Sequence, residues 1–424
     1  MMSTTQLEEL LQQAQAAREE KAYDEALARY EELLASTDGD EARSDEVRDL
    51  RLTALREQSR LHELLGDRDV ALAGYEQYYL EAGSTQHAVE ALVCIGELHG
   101  EVGRHQQALE AYDEALDLAK AFNYTAGRAR ALLGVGLTMH RLGRSEEALA
   151  NLRKSQGLFK QVDDVLGRSR SWNHMGIVHV QLGQIDRAIH AFQEGLDLAR
   201  QIGDRETAIA LSNLGECHQL LYNMEQALEY HREALALAES TQFRTVEADL
   251  CRNLGYDLYN LGEVEEGVHY LERALRIAAE SMEQDTELQA LYTLALAEIR
   301  RGNAGRARGY AERLQETAVA HNYRVYQADA LHALGLVHQM EGDVARAEQR
   351  WQEAVFLAHD TGRLFLLWQL HALLADIASN PGLAGVHYQI AADIINQIAY
   401  PIEDEQVRNA FLSAPVVKAV LEKV

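Results

Sequence analysis

Proline is almost missing from this chain, with three residues in 424, where average usage is about 5%. Its scarcity removes the residue that most readily stops a helix, and abundant alanine, leucine and glutamate push the same way. Aromatic side chains make up only 7%, so the core has to be assembled from leucine, alanine and isoleucine with occasional tyrosine. No stretch approaches the roughly 18 apolar residues of a membrane span, so insertion through a helix is not expected. Cysteine occurs three times, as Cys94, Cys217 and Cys251. The odd number and the lack of metal-type spacing argue against a disulfide framework or a zinc site. Reduced thiols buried on helices are the simpler reading. Residues Met1 to Glu9 have neither the basic region nor the apolar core of a secretory signal, and a cytoplasmic location is expected.

Positive charge is also in short supply. There are 40 basic and 67 acidic side chains, a formal net charge of −27. A field of that sign repels phosphate backbones, so general nucleic-acid binding is not expected. Catalytic signatures are lacking as well: no HExxH, P-loop, GxSxG or strand-led GxGxxG occurs. His174 and His179 are five apart and do not share a helix face as an i, i+4 pair does. Adjacent Cys217 and His218 point in different directions. Neither enzymatic activity nor a metal or other cofactor is expected.

What the sequence does contain is a period. A glycine recurs at Gly96, Gly136, Gly176, Gly215, Gly255 and Gly335, with Ala295 in the gap, in steps of 40, 40, 39, 40, 40 and 40 residues. Seven residues later comes a second glycine, at Gly103, Gly143, Gly183, Gly262, Gly302 and Gly342, with Tyr222 in its place once. Twelve residues after the first lies a small residue (Ala108, Ala148, Ala188, Ala227, Gly267, Ala307, Ala347). Four further on sits a larger one in most repeats: Tyr112, Leu152, Phe192, His231, Leu271 and Trp351. Each period reads as a pair of helices. The first glycine permits close approach of the second helix, the second glycine ends the first helix in a left-handed residue, and the large side chain fills the groove between neighbouring pairs. Neither helix buries its apolar stripe alone, so the pairs have to stack. Between pairs, Gly203 suits the position past a helix end with Asp204 capping the next helix, and Gly127 and Gly167 take the equivalent place.

Weaker copies extend the array. Ser59, Gly66, Ala71 and Tyr75 fit the register, as do Ala14, Ala26 and Tyr30, and Ala384, Tyr388 and Ala391 repeat the second-helix pattern after the Asn380-Pro381-Gly382 turn. The expectation is an all-α superhelix of about ten helix pairs closed by a capping helix, a single solenoid over residues 1–424. It divides into a divergent pair and acidic linker at 1–45, regular repeats at 46–360, a divergent last pair at 361–402 and a cap at 403–424, interrupted by Pro415, covering the exposed end.

The Leu-Gly, Gly, Ala and aromatic register resembles the tetratricopeptide repeat, in an extended form longer than the common repeat of about 34 residues. Asn213-Leu214-Gly215, Asn253-Leu254-Gly255 and Gly203-Asp204-Arg205 are similar to repeats of spindle-orientation adaptors; kinesin light chains and bacterial peptide-pheromone receptors share the extended length. The resemblance covers nearly the whole chain, although the usual proline at the end of the second helix is missing from the central repeats. It implies a right-handed superhelix that binds proteins or peptides in a concave groove lined by the first helix of each pair. The groove positions lie six, three and two residues before the central glycine and one, four and five after it. They select Arg130, His140 and Arg141, then Arg170, Asn173, His174 and Gln181, then Asn213, Glu216 and Gln219, then Asp249, Arg252, Asn253, Tyr256 and Asn260. Asparagines in the places of Asn213 and Asn253 hold peptide backbones in family members.

Charge singles out part of this strip. Residues 121–210 carry 12 basic and 9 acidic side chains, a net of +3, against −30 for the rest. Arg130 and Arg170 recur at one register, an arrangement suited to carboxylates. The competing reading pairs such arginines with acids of the neighbouring repeat, for example Asp163 or Asp164, and has asparagine bridge repeats. The functional expectation is a protein-interaction adaptor that holds a peptide segment of a partner, acidic or carboxylate-terminated. A peptide or small-molecule sensor that tightens on its ligand and a self-associating structural array are the alternatives.

Overall fold

The computed structural model describes residues 2–39, 44–281 and 283–424, which form 22 helices and no strand among the described residues. The helices come as ten pairs followed by two short ones. The first eight are α1 (Thr4–Glu19), α2 (Tyr23–Ser36), α3 (Asp45–Leu64), α4 (Arg68–Ala82), α5 (Gln86–Glu101), α6 (His105–Ala121), α7 (Thr125–Arg141) and α8 (Ser145–Gln161). Next come α9 (Val165–Gln181), α10 (Ile185–Ala199), α11 (Asp204–Leu220), α12 (Met224–Ser240), α13 (Arg244–Leu261), α14 (Val264–Ser281), α15 (Gln284–Arg300) and α16 (Ala304–Ala320). The last are α17 (Arg324–Met340), α18 (Val344–Asp360), α19 (Leu364–Ile377), α20 (Pro381–Ala399), α21 (Glu405–Ser413) and α22 (Pro415–Leu421). No helix of the described residues is long and apolar enough to cross a membrane. Of the expected acidic connection at 37–45, residues 40–43 lie outside the described ones.

The chain divides into two compact units, Met1–Met175 and Gly176–Val424, with the boundary inside α9. The repeat register holds in both, and the structure gives its glycines a sharper reason than close helix approach. A Cβ on Gly176 would lie 2.5 Å from the Phe192 ring, one on Gly215 2.3 Å from His231 Nε2, and one on Gly335 2.2 Å from Trp351 Nε1. Gly96 meets Tyr112, Gly136 meets Leu152 and Gly255 meets Leu271 in the same way. The large residue sixteen positions on thus sits on the glycine of its own pair, and Tyr112 and His231 also reach the next pair, at Gly134 and Asp257. Trp351, 0% exposed, also donates from Nε1 to the His332 carbonyl at 3.2 Å.

The second glycines behave as expected: Gly143 has φ +73° and Gly342 φ +82°, left-handed values that cost glycine nothing. Tyr222, standing where other repeats have glycine, adopts φ +58° all the same. The inter-pair turns differ from expectation. Gly203 is itself the N-cap of α11 and Asp204 the first helical residue. Gly127 and Gly167 are not turn residues. They lie within α7 and α9, where a Cβ would strike Tyr124 and Phe159.

In unit 2 the terminal helices do more than cover the last pair. Asn380 caps α20 by accepting from Gly382 N at 2.8 Å, with Pro381 at the first helical position. After α20 the chain returns to the start of the unit. Asp186 Oδ2 accepts from the amides of Glu403 (3.1 Å) and Asp404 (2.9 Å), and Arg187 pairs with Glu403 at 2.7 Å. Phe411, 0% exposed, stacks on Tyr222 at 6.3 Å between centroids and meets Phe365 edge-on at 6.2 Å. Pro415 separates the two short helices, and Lys423, just past α22, lies over the Tyr388 ring of α20. The expected cap is therefore a strap that joins α20 to the first turn of α10 and to the α11–α12 turn.

Candidate functional site

In unit 1 one arginine of the strip is already paired. Arg130 donates to Glu90 Oε1 at 2.7 Å and to the Tyr124 hydroxyl at 2.9 Å, and Arg56 reaches the same Glu90 at 2.9 Å. Burial opposes ionisation of Glu90, but Arg130, Tyr124 and Arg56 together pull its carboxyl below the usual range. The acid that satisfies Arg130 is thus on α5, one repeat back, and not Asp163 or Asp164. Arg141 and Arg170 remain exposed. Together with His140 they bear on half-buried His174, whose imidazole is pushed down to about 4 by burial first and by His140, Arg170 and Arg141 next. Glu97, its carboxyl raised by burial, faces Arg60, Arg130 and Arg170. Asn173 lies half-buried on the same helix.

Unit 2 gathers the other half of the expected strip around three connected cavities. A cavity of about 490 Å³ is bordered by Asn213, Glu216, Gln219, Asp249, Arg252 and Asp285. It shares Gln219, Arg252 and Gln289 with a second of about 440 Å³, which adds Tyr222, Tyr256, Tyr292, Tyr326, Asp329, Arg363 and Gln369. Tyr222, Tyr256, Tyr292 and Gln369 in turn border a third of about 490 Å³, closed by Trp368, Leu296, Leu336 and α22. Volumes of roughly 300–1,000 Å³ are those of ligand sites.

Each polar side chain here has an identifiable hold. Arg252 has only a 3.6 Å pairing with Glu216, and its Nε is buried without an acceptor. Asp249 accepts from the Thr286 hydroxyl at 2.5 Å. Arg363 forks onto Asp329 with two bonds of 3.1 Å, so that pair is internally neutral. Gln219 donates to Asp257 Oδ1 at 2.6 Å, while the other Asp257 oxygen is 2.6 Å from His231 Nδ1. His231 and Asp257 are both fully buried, and burial raises the Asp257 carboxyl above its ordinary range despite those hydrogen bonds. This pair replaces the usual aromatic seat of the repeat and orients Gln219 at the cavity wall. Asn253 is 0% exposed and donates to Glu216 at 3.1 Å. It bridges α13 to α11 and is not among the cavity-lining residues.

The register reasoning selected more than was singled out. Counting six and three residues before the central position in the last repeats gives Gln289 and Tyr292, Asp329 and His332, Gln369 and Ala372, and all six border the cavities. Charge drew attention to the middle of the chain, so these were passed over. Tyr222 carried its own signal, a bulky residue at a glycine position.

The sequence comparisons agree with this geometry. Residues 87–161 and 167–240 match a family model described as tetratricopeptide repeat, and residues 248–285 match a second with the same description. The chain is built of tetratricopeptide repeats. Residues 310–380 also match the family model of anaphase-promoting complex subunit 5. No curated protein sequence matches the chain. Among solved structures, the tetratricopeptide array is similar to the apo quorum sensor NprR from B. thuringiensis (TM-score 0.58, 14% identity), over 83% of this chain and 99% of that one. It is similar to a Rap protein complexed with Competence and Sporulation Factor (TM-score 0.52, 14% identity), over 94% of this chain and 100% of that one. A tetratricopeptide-repeat sensor ATPase from Pyrococcus horikoshii, PH0952, is similar at TM-score 0.58 and 17% identity; the match spans 84% of this chain but only 54% of that protein. At such identities the likeness is one of fold.

Proposed function

We propose that this protein is a non-enzymatic binder that holds a peptide segment of a partner along the first helices of unit 2. The observation that carries the reading is the alignment of equivalent positions on α11, α13, α15, α17 and α19 around three cavities that share walls. A peptide needs such an extended, polar and aromatic track; the amides of Asn213, Gln289 and Gln369 offer both donors and acceptors to its backbone. The fold likeness to a Rap protein crystallised with Competence and Sporulation Factor supports a peptide as the occupant. The three free cysteines suit a reducing, cytoplasmic setting.

Within each unit, charge favours a different kind of ligand group. The cavity around Asn213 has Glu216, Asp249 and Asp285 against Arg252, which favours a basic residue there. An acidic segment suits the exposed Arg141 and Arg170 of unit 1, with Arg130 left out because Glu90 neutralises it. The sensor reading gains one specific support, the strap, because an occupant of the third cavity touches a segment that also holds α10.

Selection from a displayed random-peptide library, followed by fluorescence-anisotropy titration of the enriched sequence, tests the main reading. Affinity should fall by roughly tenfold or more in Arg252→Ala combined with Tyr256→Ala, the loss expected for truncating an anchor pair. Equal binding by this variant would sink the proposal.

A further inference from the structure

The third cavity differs from the other two in having its charged groups already answered. Arg300 lies over the Tyr259 ring at 4.2 Å and donates to that residue's carbonyl. Asp376 accepts from the Tyr388 hydroxyl, and His332 shares a 2.7 Å hydrogen bond with Tyr292. Burial pushes His332 down to about 4, so it is neutral near pH 7. The remaining wall is uncharged and, apart from the amides of Asn260 and Gln369, aromatic and aliphatic, drawn from four first helices and from α22 through Val416, Ala419 and Val420. Such a wall penalises an unpaired charge and rewards apolar surface.

Two features stay unexplained by packing alone. Trp368 is 4% exposed and its Nε1–H has no acceptor, whereas the comparable Trp351 bonds a carbonyl. A buried donor without a partner is rare in folded proteins, and this one sits in a residue that borders the cavity. Tyr222, meanwhile, keeps a left-handed backbone in a position that other repeats give to glycine. What holds it is its ring and hydroxyl: it packs against Trp368 at 6.3 Å and accepts from Gln369 Nε2 at 3.0 Å.

We propose that this cavity is the anchor site for a single uncharged aromatic or branched aliphatic side chain of the bound peptide, packed against Trp368 and Tyr222. The assignment rests on the peptide-binding reading and specifies which residue of the peptide is recognised and where. Helix α22 forms the outer wall, so the anchor residue and the strap meet in one place. The chain's three tryptophans, Trp172, Trp351 and Trp368, give three indole N–H signals, which makes the site directly observable.

The probes are the capped amides of phenylalanine, leucine, lysine and aspartate, titrated into the full chain labelled with ¹⁵N-tryptophan. The phenylalanine and leucine amides should shift the Trp368 indole signal and leave Trp351 in place. The lysine and aspartate amides should bind at least roughly tenfold more weakly, because each would bury an unpaired charge. Ala419→Trp and Val416→Trp, both at exposed positions of α22 that border the cavity, should fill it and abolish the shift while the chain stays folded by circular dichroism. A Trp368 signal that none of the amides moves, charged amides that bind as well as apolar ones, or unchanged titrations in both filled variants would each overturn the anchor site. The library-selected peptide separates the two proposals. Undiminished peptide binding by Ala419→Trp removes the anchor and leaves the groove, whereas amide binding with no effect on the peptide of Arg252→Ala, at a position outside the third cavity, removes the groove and leaves the cavity.

Discussion

A hydrogen atom in place of a methyl decides how each helix pair closes. Because Trp351 lies flat on Gly335, Gly335→Ala forces a Cβ to within 2.2 Å of the indole nitrogen. Overpacking of that kind costs about 1–3 kcal/mol. Gly309, on the exposed side of α16 with nothing within 4 Å of its would-be Cβ, should respond oppositely. Gly309→Ala gains about 0.5–1 kcal/mol from helix propensity. Urea midpoints of the two variants, measured side by side, check the contrast. Histidine supplies a second residue-scale effect. His332 is 5% exposed and titrates at about 4 in the fold against an ordinary 6.5, through burial and then Arg363. Between those values the unfolded chain takes up a proton that the folded chain refuses. The stability is therefore complete above pH 6.5 and drains away as pH falls toward 4, by about 3 kcal/mol for this group. His332→Gln should flatten the decline in urea midpoint between neutral pH and about pH 5. An unchanged slope would show that His332 is not a main contributor. At this scale the sequence revealed which glycines matter, from their spacing. It could not reveal that Arg130 is consumed by Glu90, since that pairing depends on where two neighbouring first helices place their side chains.

Helix boundaries were legible because Gly, Asn and short polar turns punctuate a sequence with almost no proline. The helix pairs, the Asn380-Pro381 start of α20 and the break at Pro415 all follow from local capping and steric rules. What the second-helix pattern could not show was the path taken after α20. An amphipathic segment at a chain end reads as a cap, and only the fold reveals that its polar leading turn, Glu403 and Asp404, finds Asp186 and Arg187. The strap predicts its own exchange behaviour. Asp186→Ala removes the acceptor shared by two amides, so the amides of Glu403 and Asp404 should exchange at least roughly tenfold faster, as for a lost hydrogen bond worth about 1 kcal/mol or more. Hydrogen-exchange mass spectrometry over 400–424 measures this, and unaltered protection would mean that the strap is held by Phe411 and its aromatic neighbours alone. Phe411→Ala should loosen the same segment further, since emptying a fully buried phenylalanine site costs about 3–5 kcal/mol.

On the scale of the molecule, 67 acids against 40 bases leave many carboxylates with no basic partner, and the field they generate favours basic or neutral partners over anionic ones. The locally basic window at 121–210 is divided between unit 1 and unit 2, whereas the three cavities of unit 2 run along Tyr222, Tyr256, Tyr292 and Trp368. Repetition made the fold legible, while the interruptions of the repeat (Tyr222 for glycine, His231 for an aromatic) mark where unit 2 has been specialised. The strap has a further consequence. An open array touches only its neighbours, so it can nucleate anywhere and fray from either end. In unit 2 contacts 217 and 218 residues apart in sequence tie its opening turn to its closing one. Closing so large a loop has an entropic cost that must be met before those contacts form, which delays the last step of folding. Once they have formed, the terminal pair can no longer melt by itself, and unit 2 opens as one cooperative body.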